Sequence, residues 1–154
     1  MNHWLFKSEP DTFSVDDLAR ARGATTTWDG VRNHQVRNMM RDQMRVGDLG
    51  FFYHSSCAVP GIAGVVRVVR AGYPERAALD PKHRYFDPDS DAVNPRWYCV
   101  DVRLERSIDP LVTLETLRKH ARGALADMLI LRRGNRLSVT PVTDEEWHFI
   151  LSLA

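Results

Sequence analysis

Trp28-Asp29-Gly30 is followed, after Val31, by Arg32-Asn33, and Tyr53-His54-Ser55 stands further along the chain. An indole offers a flat face on which any planar ring can stack. An asparagine amide both donates and accepts, and an arginine presents a rigid fork of N–H donors. A phenol, an imidazole and a hydroxyl in succession add more polar groups. One aromatic face with several fixed donors and acceptors suits a planar, hydrogen-bonding ligand such as an extruded nucleobase. Trp28 also has a plainer reading, as a hydrophobic plug beside a turn. Lys7 and Glu9 stand two apart and point to the same side of an extended chain. They form either a solvated ion pair at a strand end or two polar groups at the mouth of a site.

Other chemistries find no support in the spacing. The six histidines are scattered, with no metal-ligand pattern. There is no phosphate loop, dinucleotide fingerprint or nucleophile elbow. Asp87, Asp89 and Asp91 are spaced like the start of a calcium loop, but the downstream Gly and Glu are missing and Pro88 intrudes. No cofactor and no metal are expected. Arg37, Arg41 and Arg45 share one stripe of a helix, which reads as a solvated face or as a set of phosphate contacts.

These groups need a scaffold. Trp4-Leu5-Phe6 reads as a first strand that stops near Glu9, before Pro10. Ser14 and Asp17 have capping-box spacing and open a helix from Val15 to about Arg22, ended by Gly23. Thr25 to Asn33 reads as loop, with a turn at Asp29-Gly30. A helix follows over 33–45, with Val36, Met39, Met40 and Met44 inward and Gly47 as its stop. Leu49 to His54 is bulky on both faces, like a strand of a closed barrel with something packed outside it. Ile62 to Arg70 is its partner. Residues 71–95 carry Pro74, Pro81, Pro88 and Pro95 and read as one long ordered loop, a class that is often functional. A strand over Arg96 to Glu105 is expected to end before Pro110. Thr113 caps a helix from Leu114 to about Arg122. A basic turn, Arg132-Arg133-Gly134-Asn135-Arg136, precedes a closing strand over Leu137-Ser138-Val139. Thr143 and Glu146 form a second capping box, opening a last helix that buries Trp147, Ile150 and Leu151.

With 154 residues the chain fits one domain, spanning 1–154. A net charge of +1 argues against a broad electrostatic grip on nucleic acid or membranes, so any such role needs a local patch. Cys57 and Cys99 have no metal spacing and suit a reducing, cytoplasmic setting. The apolar run at the start is too short for a signal peptide, and none is long enough to span a membrane.

Several stretches taken together resemble one family. They are Trp4-Leu5-Phe6-Lys7-Ser8-Glu9-Pro10, Thr27-Trp28-Asp29-Gly30-Val31-Arg32-Asn33, Gly47-Asp48 and Phe52-Tyr53-His54-Ser55. Gly61-Ile62-Ala63-Gly64, Asn94-Pro95-Arg96-Trp97-Tyr98, Val100-Asp101-Val102, Arg132-Arg133-Gly134 and Leu137-Ser138-Val139 continue the match. The chain resembles the EVE domain family over essentially its whole length; Gly50 is small where an apolar residue is expected. The resemblance implies an α+β, PUA-like fold: a small, mostly antiparallel β-barrel decorated by short helices. The family is similar to YTH domains, which read methylated adenine in RNA, and its members are candidate readers of modified bases, mainly cytosines in DNA. On that resemblance Trp28 is the stacking ring, and Arg32, Asn33, Tyr53, His54 and Ser55 are edge and wall groups. Trp97 is a second wall, and Lys7, Ser8 and Glu9 border the mouth.

The expected function is therefore non-catalytic binding of a modified nucleobase, a cytosine or adenine in DNA or RNA, by a monomer. Two rivals remain. ASCH domains share the PUA-like fold and some hydrolyse amides on modified nucleosides; Lys7, Ser8 and Glu9 would then supply a nucleophile or general base. The near-neutral charge also leaves room for a small-molecule or protein-interaction module.

Overall fold

In the computed structural model, which describes residues 1–154, the first strand settles the layering of the molecule. β1 (His3–Ser8) lies inside a six-stranded sheet and is buried on both faces, so its apolar residues run without alternation. Trp4 and Phe6 point to one core and Leu5 to another. β1 runs parallel to β3 (Leu49–His54), pairing Leu5 with Phe51 and Lys7 with Tyr53, and antiparallel to β6 (Val139–Val142). β3 continues into β4 (Gly61–Pro74), β4 pairs with β5 (Tyr98–Thr113), and β5 with the short β2 (Thr25–Trp28). The strand order is β2-β5-β4-β3-β1-β6.

Helices cover both faces. α1 (Val15–Arg20) and α2 (His34–Asp42) place Val15, Leu18, Val36, Met39 and Met40 against Trp4, Phe6 and Phe52. α3 (Leu114–Arg118) and α4 (Asp144–Leu153) place Leu117, Trp147 and Ile150 against Leu5, Phe51 and Ile62. Both expected capping boxes form, Ser14 with Asp17 and Thr143 with Glu146. No helix is long and apolar enough to cross a membrane.

The fold is α+β, with a mixed sheet rather than a closed barrel. β2 and β6 are the edges of the sheet and do not bond to each other. Thr25 to Trp28, expected as loop, is a strand because three threonines with branched Cβ atoms find a partner in Val100 to Arg103 of β5. β5 also runs past Pro110. The ladder jumps from Ile62–Val112 to Gly64–Ser107, so Pro110 sits in an irregularity where no ladder donor is required. α1, α2 and α3 stop before the expected Arg22, Arg45 and Arg122, and β4 runs on to Pro74.

One buried carboxylate ties the start of the chain to the turn before β3. Asp48, 2% exposed, accepts from the Trp4 indole N–H at 3.0 Å, the Arg45 amide at 3.0 Å and the Asn2 amide at 3.1 Å. Its removal strands the buried Trp4 indole N–H, which cannot reach water. Asp48→Ala is expected to lower the unfolding free energy by about 3 kcal/mol and Asp48→Asn by less, read from the urea midpoint at constant m-value.

Candidate functional site

A cavity of about 710 Å³ lies along the edge strand β2. One wall is β2 itself, Thr25 to Trp28, with the turn Asp29 to Arg32 that follows it. The opposite wall is the end of β1, Lys7 to Glu9, with Ser138 just before β6. Thr12 and Phe13 close one end, and Arg84 and Tyr85 of the long loop close another. An edge strand leaves one side of its backbone unpaired, so β2 offers main-chain donors and acceptors here as well as hydroxyls.

Trp28 is half-buried and held edge-on. Its ring meets Phe6 at 5.1 Å and 63°, and Phe52 at 5.6 Å and 88°. No aromatic side chain stacks parallel on it. The ionisable groups around it are partly stripped of water. Burial lowers the Lys7 pKa, while burial and then the nearby Glu75 carboxylate raise that of Asp29.

The rim is braced from behind by Glu75, which is 1% exposed. Its carboxylate accepts from the Gly30 amide and, at 2.7 Å, from the Arg32 guanidinium. Arg32 also donates to the Val31 and Tyr85 carbonyls and lies 5.0 Å over the Trp97 ring. Gly30 has φ +76°, and a Cβ there would overlap the Tyr85 ring. Turn, arginine and loop therefore form one clamp, and the wall made by β2 and its turn depends on it.

A model of the EVE domain matches residues 2–153. The chain belongs to the EVE domain family. Thymocyte nuclear protein 1 of Danio rerio is 42% identical over 99% of this chain and 71% of its own length; the human protein is 40% identical over 99% and 73%. A crystal structure from Pseudomonas putida superposes with a TM-score of 0.92 at 45% identity, covering 98% of each chain. The structure of human THYN1 in complex with 5-methylcytosine-containing DNA superposes with a TM-score of 0.93 at 39% identity, covering 99% of this chain and 97% of that one.

Within this EVE domain, Trp28, Arg32, Lys7, Ser8 and Glu9 line the cavity, and Asn33, Tyr53, His54, Ser55 and Trp97 do not. Each of the latter has a structural engagement. Asn33 caps α2, its side chain accepting from the Val36 amide at 3.0 Å. Tyr53 lies in the second core, where burial pushes its phenol up to about 12. His54 Nε2 accepts from the Val15 amide at 3.1 Å, and the Ser55 amide donates to the Ser8 carbonyl at 2.9 Å. Trp97 stacks on His34 and donates to Asp87 at 2.6 Å, standing behind Arg32. The arginine stripe does not reach the cavity either. Sequence reasoning missed Thr25 to Thr27, Asp29, Arg84, Tyr85 and Ser138. The threonines were hidden by reading the edge strand as loop; the long proline-punctuated loop was the one signal that pointed to Arg84 and Tyr85.

Two outcomes follow from these contacts. Glu75→Ala leaves Arg32 without its carboxylate, and loss of hydrogen-exchange protection is expected first at Gly30 and the loop amides, before global unfolding. His54 has its pKa lowered by burial, below an unfolded value of about 6.5. Between those two values the unfolded chain binds more protons, so stability is complete above about pH 6.5 and declines as the pH falls toward the folded value. Wild type should lose urea resistance across that window, and His54→Gln should show a flatter acid limb.

Proposed function

We propose that the chain binds a modified nucleobase carried in nucleic acid, with the extruded base held in the cavity beside Trp28 and no chemical turnover. The observation that carries this reading is the likeness to human THYN1, whose structure is of a complex with 5-methylcytosine-containing DNA. The cavity suits the chemistry of such a base. Cytosine presents an amino donor beside two acceptors, and adenine a donor beside one. Carboxylates at Glu9 and Asp29, the Lys7 ammonium and the hydroxyls of Thr26 and Ser138 stand around the indole to meet them. Phe13 and Val31 line the same cavity and offer an apolar seat for a methyl group. DNA with a modified cytosine is the leading ligand, and RNA carrying a comparable base is the variant to compare.

Ser8 supports binding over hydrolysis. Its hydroxyl donates to the Phe13 carbonyl, and no base hydrogen-bonds to its oxygen. In this reading the protein acts as a monomer without metal or cofactor, in a cytoplasm that keeps Cys57 and Cys99 as free thiols.

The test is titration with matched oligonucleotides that differ only by 5-methylcytosine. Wild type is expected to prefer the methylated one. Trp28→Ala is expected to weaken that complex roughly 5- to 150-fold, the equivalent of one stacking contact. Equal affinity of wild type for both oligonucleotides would overturn methyl recognition, and an unchanged Trp28→Ala would overturn stacking. Incubation with N-acylated nucleosides is expected to give no product; turnover lost in Glu9→Gln would replace the binding reading with an enzymatic one.

A further inference from the structure

We propose that the basic turn over residues 132–136 is a phosphate-binding rim, which holds the nucleic-acid backbone beside an extruded nucleotide; it rests on the base-binding reading above. The turn leads directly into the site. Ser138 lines the cavity, and its carbonyl accepts from the Lys7 amide at 2.8 Å, fixing the end of the turn to β1. Arg136 stands two residues earlier, no more than about 7 Å of extended chain away. An extruded base brings its own sugar and flanking phosphates to the cavity mouth, so cations at that distance meet phosphate rather than base.

The turn is built to present charge. Asn135 donates from Nδ2 to the Leu129 carbonyl at 2.8 Å and accepts the Leu137 amide at 2.9 Å, which anchors the loop to the body of the protein. Gly134, at φ +79°, faces open space. Arg133 and Arg136 are exposed and neither forms an ion pair within the protein. Arg132 has only Asp127 at 3.8 Å, with both side chains more than half exposed, a contact that water and salt screen strongly. With a net charge of +1 the molecule has no broad positive field, so backbone affinity must come from a local cluster of this kind.

The arginine stripe of α2 is the natural comparison, because there the charges are engaged. Arg41 donates to both oxygens of Asp42 at 2.8 and 2.9 Å, and Arg37 donates to the Arg96 carbonyl at 3.0 Å and to Asn38. Arg45 donates to the Met44 carbonyl at 3.1 Å. None of the three lines the cavity.

The experiment measures binding of matched duplexes, with and without 5-methylcytosine, across a salt series for wild type, R133Q/R136Q and R41Q, each first checked for an unchanged melting temperature. Each phosphate contact contributes about 0.9 to the slope of log affinity against log salt, so R133Q/R136Q is expected to lower that slope by about two. Its affinity should fall by one common factor for both duplexes, leaving the methyl preference intact, and R41Q should match wild type. An unchanged slope in R133Q/R136Q, or a loss confined to R41Q, overturns the rim and leaves base recognition standing. A reduced slope in a protein without methyl preference keeps the rim and removes base recognition. Absence of binding to either duplex overturns both.

Discussion

Every strand in a sheet must pair or end at an edge, and in this protein the two edges are β2 and β6, which do not bond to each other. The cavity lies between β2 and the end of β1. Phe6 of β1 and Phe52 of β3 sit behind it, and Trp28 of β2 rests edge-on against both rings. Those aromatic contacts link the two walls in place of a hydrogen-bonded ladder. The site is thus a consequence of β2 being an edge: another strand paired to it would take up the backbone groups that now line the cavity.

An open seam needs bracing, and the bracing comes from a charge that cannot face water. Glu75 is buried, so its carboxylate requires donors, and the Gly30 amide and Arg32 guanidinium supply them. Arg32 in turn reaches the Tyr85 carbonyl and lies over Trp97. The long loop, the turn after Trp28 and the start of α2 are thereby joined through one ion pair. Arg32, expected as a reader of a base edge, lines the cavity while its guanidinium is engaged in holding its wall.

The electrostatics divide in the same way as the geometry. Inside the cavity, partial burial disfavours charge on both Lys7 and Asp29. Outside, Arg133 and Arg136 of the basic turn are exposed and unpaired. The near-neutral chain thus presents free positive charge there in a small patch rather than in a broad field.

What the sequence determined by itself was local. The capping boxes at Ser14 and Thr143, the two-faced strand at Leu49 to His54, the turn at Asp29-Gly30 and the prominence of Trp28 were all legible, because each depends on residues a few positions apart. The place of Asn33 before an amphipathic run is also a local signal, that of a helix cap. Tertiary structure decided the rest. Tyr53 went to a core because strand alternation selects a face only once the neighbouring helices are placed, and His54 became an acceptor for α1 because that helix starts beside it. Thr25 to Thr27 became a wall only by pairing with β5, some seventy positions away in the chain for Thr27 and Asp101. Tyr85 and Ser138 joined them through contacts between distant segments, which no local spacing encodes.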